Sequence, residues 1–254
     1  MTFPLVIEPM ANAPVSSQAG TRLLPLPENC LAGRFLQRVK RFMVEFETDQ
    51  GRFWAHTNNS GTMLGLLRPG TPVLVSPATR PERKFQYTLE LLGLDGEWVG
   101  VNTMVPNRLL PAAFKAGKLA WASGYTKFKA EVRTGKSRID GLLQAEGKPP
   151  LWVECKNVTM VEDGVAAFPD ANTARGRKHL LEMLGLTKNG ARAAFFYCVQ
   201  RNDAGCFAPA DYIDEEYAKL FLHCLKNGVE VYPHVIHASP DGFSMGELLP
   251  IKLE

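Results

Sequence analysis

Ser137-Arg138-Ile139-Asp140-Gly141-Leu142-Leu143 and, one turn later, Leu151-Trp152-Val153-Glu154-Cys155-Lys156-Asn157-Val158 read as two short apolar strands, each carrying acid where an apolar residue would be expected. Side chains alternate along a strand, so Glu154 and Lys156 share a face. If the strands pair as a hairpin, Asp140 comes alongside them. Two carboxylates and an ammonium on one patch of sheet suit a divalent cation and a phosphodiester. Apolar neighbours on both sides of Glu154 describe a covered strand, where an unpaired charge is costly without a compensating role. A solvated Glu–Lys pair on an exposed strand is the plain alternative.

The chain has 254 residues, enough for two modest domains with their own cores, and its composition is that of an ordinary globular protein. No apolar run is long enough to span a bilayer, and residues 1–20 lack the charged start and apolar core of a secretory signal. The five cysteines, Cys30, Cys155, Cys198, Cys206 and Cys224, are odd in number and show no paired CxxC spacing. Neither a disulfide framework nor a zinc site is suggested, and the expectation is a reducing, cytoplasmic protein with no membrane partner. The formal net charge of +3 permits a nucleic-acid partner without arguing for one.

Outward from the acid strands, the rhythm divides the chain. Residues 1–22 form a Pro-, Ala- and Ser-rich leader, expected to be mobile. Residues 23–103 read as short strands broken by turns: one long run from Gly33 to Glu47, then Arg52–His56, a helical turn at Thr62–Leu67, and strands at Thr71–Ser76, Phe85–Leu92 and Trp98–Asn102. Five strands and one short helix suggest an OB-like β-barrel. Residues 104–254 change to a helix at Asn107–Ala116, strands at Lys127–Arg133, Ser137–Gln144 and Leu151–Thr159, a helix capped by Asn172 or Thr173, a strand at Ala191–Gln200, a helix from Asp214 and a strand at Val229–Val235. This order predicts a mixed α/β sheet covered by helices, with a parallel crossover from the Glu154 strand to the Phe195 strand.

Asp140 followed by Glu154-x-Lys156, a helix and a buried strand resembles the PD-(D/E)xK nuclease core. The chain as a whole resembles the sugar fermentation stimulation protein A family over roughly residues 23–254. The matching runs are Glu131 with Ser137–Asp140, Trp152–Thr159, Phe168–Ala171, Arg175–Leu180, Val199–Asp203 and Gly228–Val231, with Arg38–Phe42, Ala55-His56 and Val101–Thr103 in the first half. The resemblance implies an N-terminal OB-like domain, a C-terminal nuclease-like domain, DNA binding, and a regulatory link to maltose metabolism. Three departures stand out. The family's His-Cys-Pro-Asn-Thr-Gly run is here His56-Thr57-Asn58-Asn59-Ser60-Gly61, Gly141 stands where Phe is frequent, and Ala174 where Glu is frequent.

The chemistry follows from both readings. Mg²⁺ or Mn²⁺ would be held by Asp140 and Glu154, with the Cys155 carbonyl as a third ligand by family analogy. Lys156 would orient or deprotonate the attacking water, which requires its pKa to fall. Glu131 on the neighbouring strand is a further catalytic candidate. Arg175, Arg177 and Lys178 open a helix whose dipole they oppose, so they read as phosphate contacts or as a solvated face. Arg38, Lys40 and Arg41, with Arg83 and Lys84, could form a second phosphate track on the barrel. Phe53, Trp54 and Tyr87 are open to two readings, base stacking or barrel core. His179 is read as a basic helix residue, and Gln200 as a water-orienting group or a sheet cap. The expected activity is phosphodiester hydrolysis on DNA, or RNA, without sequence preference. The alternative is a DNA-binding regulatory factor, linked to sugar metabolism, that does not cut.

Overall fold

The computed structural model describes residues 21–80, 82–135 and 137–253, so the expected leader falls almost wholly outside the described residues. The first strand, β1 (Arg22–Pro25), does not enter the barrel. It pairs antiparallel with the last strand of the chain and forms one edge of the C-terminal sheet. The segment 23–103 therefore divides, and the barrel begins only at β2 (Leu31–Val39).

The barrel continues through β3 (Met43–Thr48), β4 (Gly51–His56), β5 (Pro72–Pro77), β6 (Tyr87–Leu94) and β7 (Glu97–Gly100) in the order β4-β3-β2-β5-β6-β7. A short parallel pairing of β4 with β6, at Ala55–Tyr87 and His56–Thr88, closes five strands on themselves. Its core is Phe35, Val44, Phe46, Ala55, Val73, Val75, Leu89 and Leu92 with their neighbours. The run expected as one strand over Gly33–Glu47 is two strands, because Lys40 and Arg41 take φ of 49° and 64° and reverse the chain. Thr62–Leu67 forms turns rather than a helix.

The second half begins with α1 (Val105–Lys115), then β8 (Lys127–Thr134), β9 (Ser137–Gln144), β10 (Leu151–Val158), β11 (Met160–Glu162), β12 (Val165–Phe168), α2 (Ala174–Lys188), β13 (Arg192–Val199), β14 (Cys206–Pro209), α3 (Glu215–Lys226), β15 (Val229–Ser239) and β16 (Gly242–Leu248). Seven strands form a mixed sheet in the order β1-β16-β15-β13-β10-β9-β8. The expected parallel crossover is present, with Glu154 beside Phe195 and Lys156 beside Tyr197. Sequence reading missed β1, β16 and a small separate sheet, β11-β12-β14. The strands of that small sheet have three or four residues each, too short to show a period.

α1 covers one face of the large sheet, where Leu109, Leu110, Leu143, Val153, Phe196 and Phe243 form a core that also takes in Leu74 and Leu91 of the barrel. The two halves thus share hydrocarbon. α2 and α3 cover the opposite face through Leu180, Met183, Tyr217 and Phe221. Each fully buried side chain of this size contributes about 2 kcal/mol. α2 starts where Thr173 Oγ1 accepts the Gly176 N–H at 3.0 Å, and α3 where Asp214 accepts the Tyr217 N–H at 3.0 Å.

A polar clasp ties the segment 56–61 of the barrel to the residues that lead into α1. Asn58 accepts the Thr103 N–H at 3.0 Å and donates to Asn102 at 2.6 Å. Asn102 donates to the buried Glu90 at 2.8 Å, and Ser76 completes that carboxylate at 2.7 Å. Next to it, Asp170 accepts the Met63 N–H at 3.2 Å and crowds Gly61, where a Cβ would lie 2.3 Å from the carboxylate.

Asp214 also accepts the Thr173 N–H at 2.8 Å and pairs with Arg177 at 2.6 Å, so one carboxylate ties the starts of two helices. Asp214→Ala should cost about 2 kcal/mol and lower the melting temperature by roughly 4–8 °C, measured by thermal unfolding.

Candidate active site

The acid hairpin forms as expected, but its ladder stops short. β9 and β10 pair at Leu143–Leu151, Leu142–Trp152 and Gly141–Val153, and not at the next position, Asp140 and Glu154. There Asp140 Oδ2 accepts the Cys155 N–H at 2.8 Å, replacing a strand hydrogen bond with a side-chain one. Its other oxygen accepts from the Asn107 amide on α1 at 2.5 Å. On the far side of β9 the ladder also skips a step. Ala130–Gly141 and Val132–Ile139 are paired, and Glu131, between them, has φ of 53°.

Glu154 is 3% exposed. Its Oε1 accepts from Lys156 Nζ at 2.8 Å and meets His179 Nδ1, and Lys156 and His179 lie 3.2 Å apart. Its Oε2 is buried without a protein partner. A buried carboxylate costs several kcal/mol unless its charge is compensated. Burial pushes the Glu154 carboxyl up, but the Lys156 ammonium and the His179 ring outweigh it and hold it at about 2. Asp140 goes the other way. Burial and the neighbouring Glu154 charge raise it to about 6, against the Cys155 N–H, Lys156 and Asn107. The two acids are thus held apart in protonation, one a permanent anion and one titrating near neutrality.

Asp140, Glu154 and Lys156 are brought together as the sequence predicts. Cys155 is buried, its Sγ directed to the Pro106 carbonyl at 3.8 Å, and burial pushes the thiol far up. The thiol is neither nucleophile nor ligand, which leaves only the backbone of this residue to the site. Glu131 is not in the cluster. Its side chain is 53% exposed and pairs with Arg138 at 3.4 Å, because the reversed φ turns it outward.

His179, read from sequence as an ordinary basic helix residue, belongs to the site. The signal was present: α2 buries Gly176, His179, Leu180, Met183 and Leu184, an i, i+3, i+4, i+7, i+8 stripe with His179 inside it. Asn107 gave no such signal, since its contact depends on how α1 crosses β9.

The basic residues divide. Arg177 is committed to Asp214 and to Glu216 at 3.4 Å, and Lys178 lies 3.6 Å from Glu182 one turn on, while Arg175 is exposed. Arg38 donates to the carbonyls of Arg41, Gly61 and Asn59 at 2.6–2.8 Å and holds the loop rather than a phosphate. Lys40, Arg41 and Lys84 are exposed, and Arg83 donates to Thr88 at 3.1 Å. Gln200 is wholly buried, bonded to Asn157 and packed against Gly100 of the barrel, where a Cβ would lie 1.6 Å from it. It fills the junction of the two halves.

Among the described residues no three His, Cys, Asp or Glu side chains form a ready metal cage. The donors that are present nevertheless fit a hard cation. They are two carboxylates, one with a buried bare oxygen, and a hard cation of the Mg²⁺ type needs few protein ligands beside water. No helix among the described residues is long and apolar enough to cross a membrane.

A closed five-stranded barrel joined to a helix-covered mixed sheet, with an acid–lysine cluster where two of its strands part, defines a two-domain class: an OB-like domain followed by a mixed α/β domain. Residues 36–101 match the sugar fermentation stimulation protein N-terminal OB domain, and residues 104–242 match the RE domain of the same family. The chain belongs to the sugar fermentation stimulation protein family. It is 50% identical over 231 residues to a homolog from Maridesulfovibrio salexigens, covering 90% of this chain and 97% of that one. It is 47% identical to a homolog from Syntrophobacter fumaroxidans, covering 96% and 92%. The solved structure of Pyrococcus furiosus SfsA in complex with Ca²⁺ shares the fold, with a TM-score of 0.85, 23% identity, and coverage of 92% of this chain and all of that one.

Because Asp140 titrates at about 6 when folded and near 3.8 when unfolded, ionising it weakens the fold as pH rises between those values. Asp140→Asn, which can still accept the Cys155 N–H while the Asn107 amide turns over, should stabilise the metal-free protein by roughly 2 kcal/mol at pH 8 and by little at pH 4. Thermal melts at the two pH values measure this.

Proposed function

We propose that this protein binds DNA without sequence preference and hydrolyses its phosphodiester bonds with the help of Mg²⁺ or Mn²⁺. The observation that carries the reading is the buried, unpartnered Oε2 of Glu154, held near Asp140 and beside a lysine. An apolar environment gives no reason for a bare anionic oxygen, and a cation does. The solved relative in complex with Ca²⁺, a hard oxygen-seeking ion, agrees with that ligand chemistry.

In this reading Asp140, Glu154 and the Cys155 carbonyl hold the cation, which when bound supplies charge to a phosphoryl oxygen and an acidified water. The chain's own residues do the rest. Asn107 and the Cys155 N–H fix the orientation of Asp140. His179 fixes Glu154 from α2 and leaves Oε2 for the cation. Lys156, two residues beyond Glu154 on the same strand face, orients the water and offsets charge on the phosphate through its ammonium. Its ammonium stands 5.7 Å from the Phe195 ring, on the strand that β10 joins in parallel.

Labelled DNA and RNA, single- and double-stranded, incubated with Mg²⁺ or Mn²⁺ test this. Wild type should cut, and Asp140→Ala and Lys156→Ala should each lose at least about 100-fold in rate. Equal rates in all three proteins refute the site. By calorimetry, Lys156→Ala should still bind Mn²⁺, while His179→Ala should bind it about 10-fold more weakly.

A further inference from the structure

Of the three residues open to a base-stacking reading, only Trp54 is left exposed by the fold. Phe53 and Tyr87 pack with Phe46 inside the barrel at centroid distances of 5.7–5.9 Å. Outside it, Trp54 belongs to an aromatic row with exposed Phe42 and half-buried His56 and Phe85. Phe42, in the turn between β2 and β3, lies 6.1 Å from His56 with ring planes 11° apart, and His56 lies 6.4 Å from Phe85 at 32°. Trp54 sits two positions before His56 on β4, so it shares the outer face of the strand while Ala55 points into the core. Phe42 is 43% and Trp54 36% exposed.

Cations frame the row. Lys40 and Arg41 immediately precede Phe42, and Lys84 Nζ stands 5.6 Å from the Phe85 ring. Burial, with the charge of nearby Arg83, depresses the His56 imidazole. The turn carries a second sign. Lys40 and Arg41 adopt φ of 49° and 64° in succession, a conformation that Asn and Gly take at little cost and long side chains do not. Two basic residues thus stand where the backbone favours neither.

We infer that Trp54, Phe42, His56 and Phe85, framed by Lys40, Arg41, Arg83 and Lys84, form a docking track for unpaired nucleotides of a single-stranded nucleic acid. Aromatic faces accept any base, and the flanking cations meet the backbone phosphates. A duplex hides its base faces in the stack and gains nothing from the rings. The inference rests on the nucleic-acid partner proposed above and specifies which strand form the barrel takes.

Fluorescence anisotropy of the full-length protein with labelled oligothymidylate and with a blunt hairpin duplex, both in EDTA, tests the track without involving cleavage. Phe42→Ala and Phe42→Leu should weaken oligothymidylate binding roughly 5- to 100-fold and change duplex binding less than about two-fold. Phe42→Trp should bind at least as tightly as wild type. The double variant Lys40→Asn/Arg41→Gly should bind oligothymidylate more weakly, with a shallower salt dependence, while its melting temperature holds or rises. Wild-type affinity in Phe42→Leu would show that the ring only packs and would overturn the track. Duplex binding by wild type without oligothymidylate binding would overturn it too, leaving the nuclease reading intact. Failure of wild type to bind either probe would remove the partner on which both readings stand.

Discussion

The structure turns on one hydrogen bond, from the Cys155 N–H to the Asp140 carboxylate. A strand that offers its N–H to a side chain cannot offer it to its neighbour, so β9 and β10 separate one residue after Gly141–Val153. That separation lies near one edge of a sheet covered by helices on both faces. Burial, with the nearby Glu154 charge, then raises the Asp140 pKa.

The cluster draws on elements far apart in sequence. β10 supplies Glu154 and Lys156, β9 supplies Asp140, α1 supplies Asn107 and α2 supplies His179. Each is set by packing rather than by local preference. α2 is held on its face by Leu180, Met183 and Leu184, which leaves His179 no direction but toward Glu154. Asp214 then fixes where α2 begins through the Thr173 N–H and Arg177. Arg177 serves the helix pair for this reason and is not a free phosphate ligand.

The barrel is bound to this assembly by two means of different character. Hydrocarbon is shared through Leu74 and Leu91 under α1, and the polar clasp of Asn58, Asn102, Glu90 and Ser76 adds directional bonds. A buried polar network of this kind is costly when any member is missing. Asn58 and Asn59 give the segment 56–61 a definite structural role, with Asn59 donating to the Val101 carbonyl at 3.3 Å.

Elements whose pattern is local were legible in the amino-acid order. The apolar stripe of α3, a cap at Asn172 or Thr173, the helix start at Asp214, the Asn-Gly stops, the apolar run of β13 and the Asp140, Glu154, Lys156 spacing each depend on residues close in the chain. What depends on distant partners came only with the folded chain. β1 joins β16 across the whole chain, Glu131 turns outward at a positive φ, His179 and Asn107 enter the site from helices, and Arg38 is consumed by carbonyls of residues 41, 59 and 61. The physical reason is the same in each case. A side chain's type fixes which bonds it can make, but the fold decides which partner comes within about 3 Å.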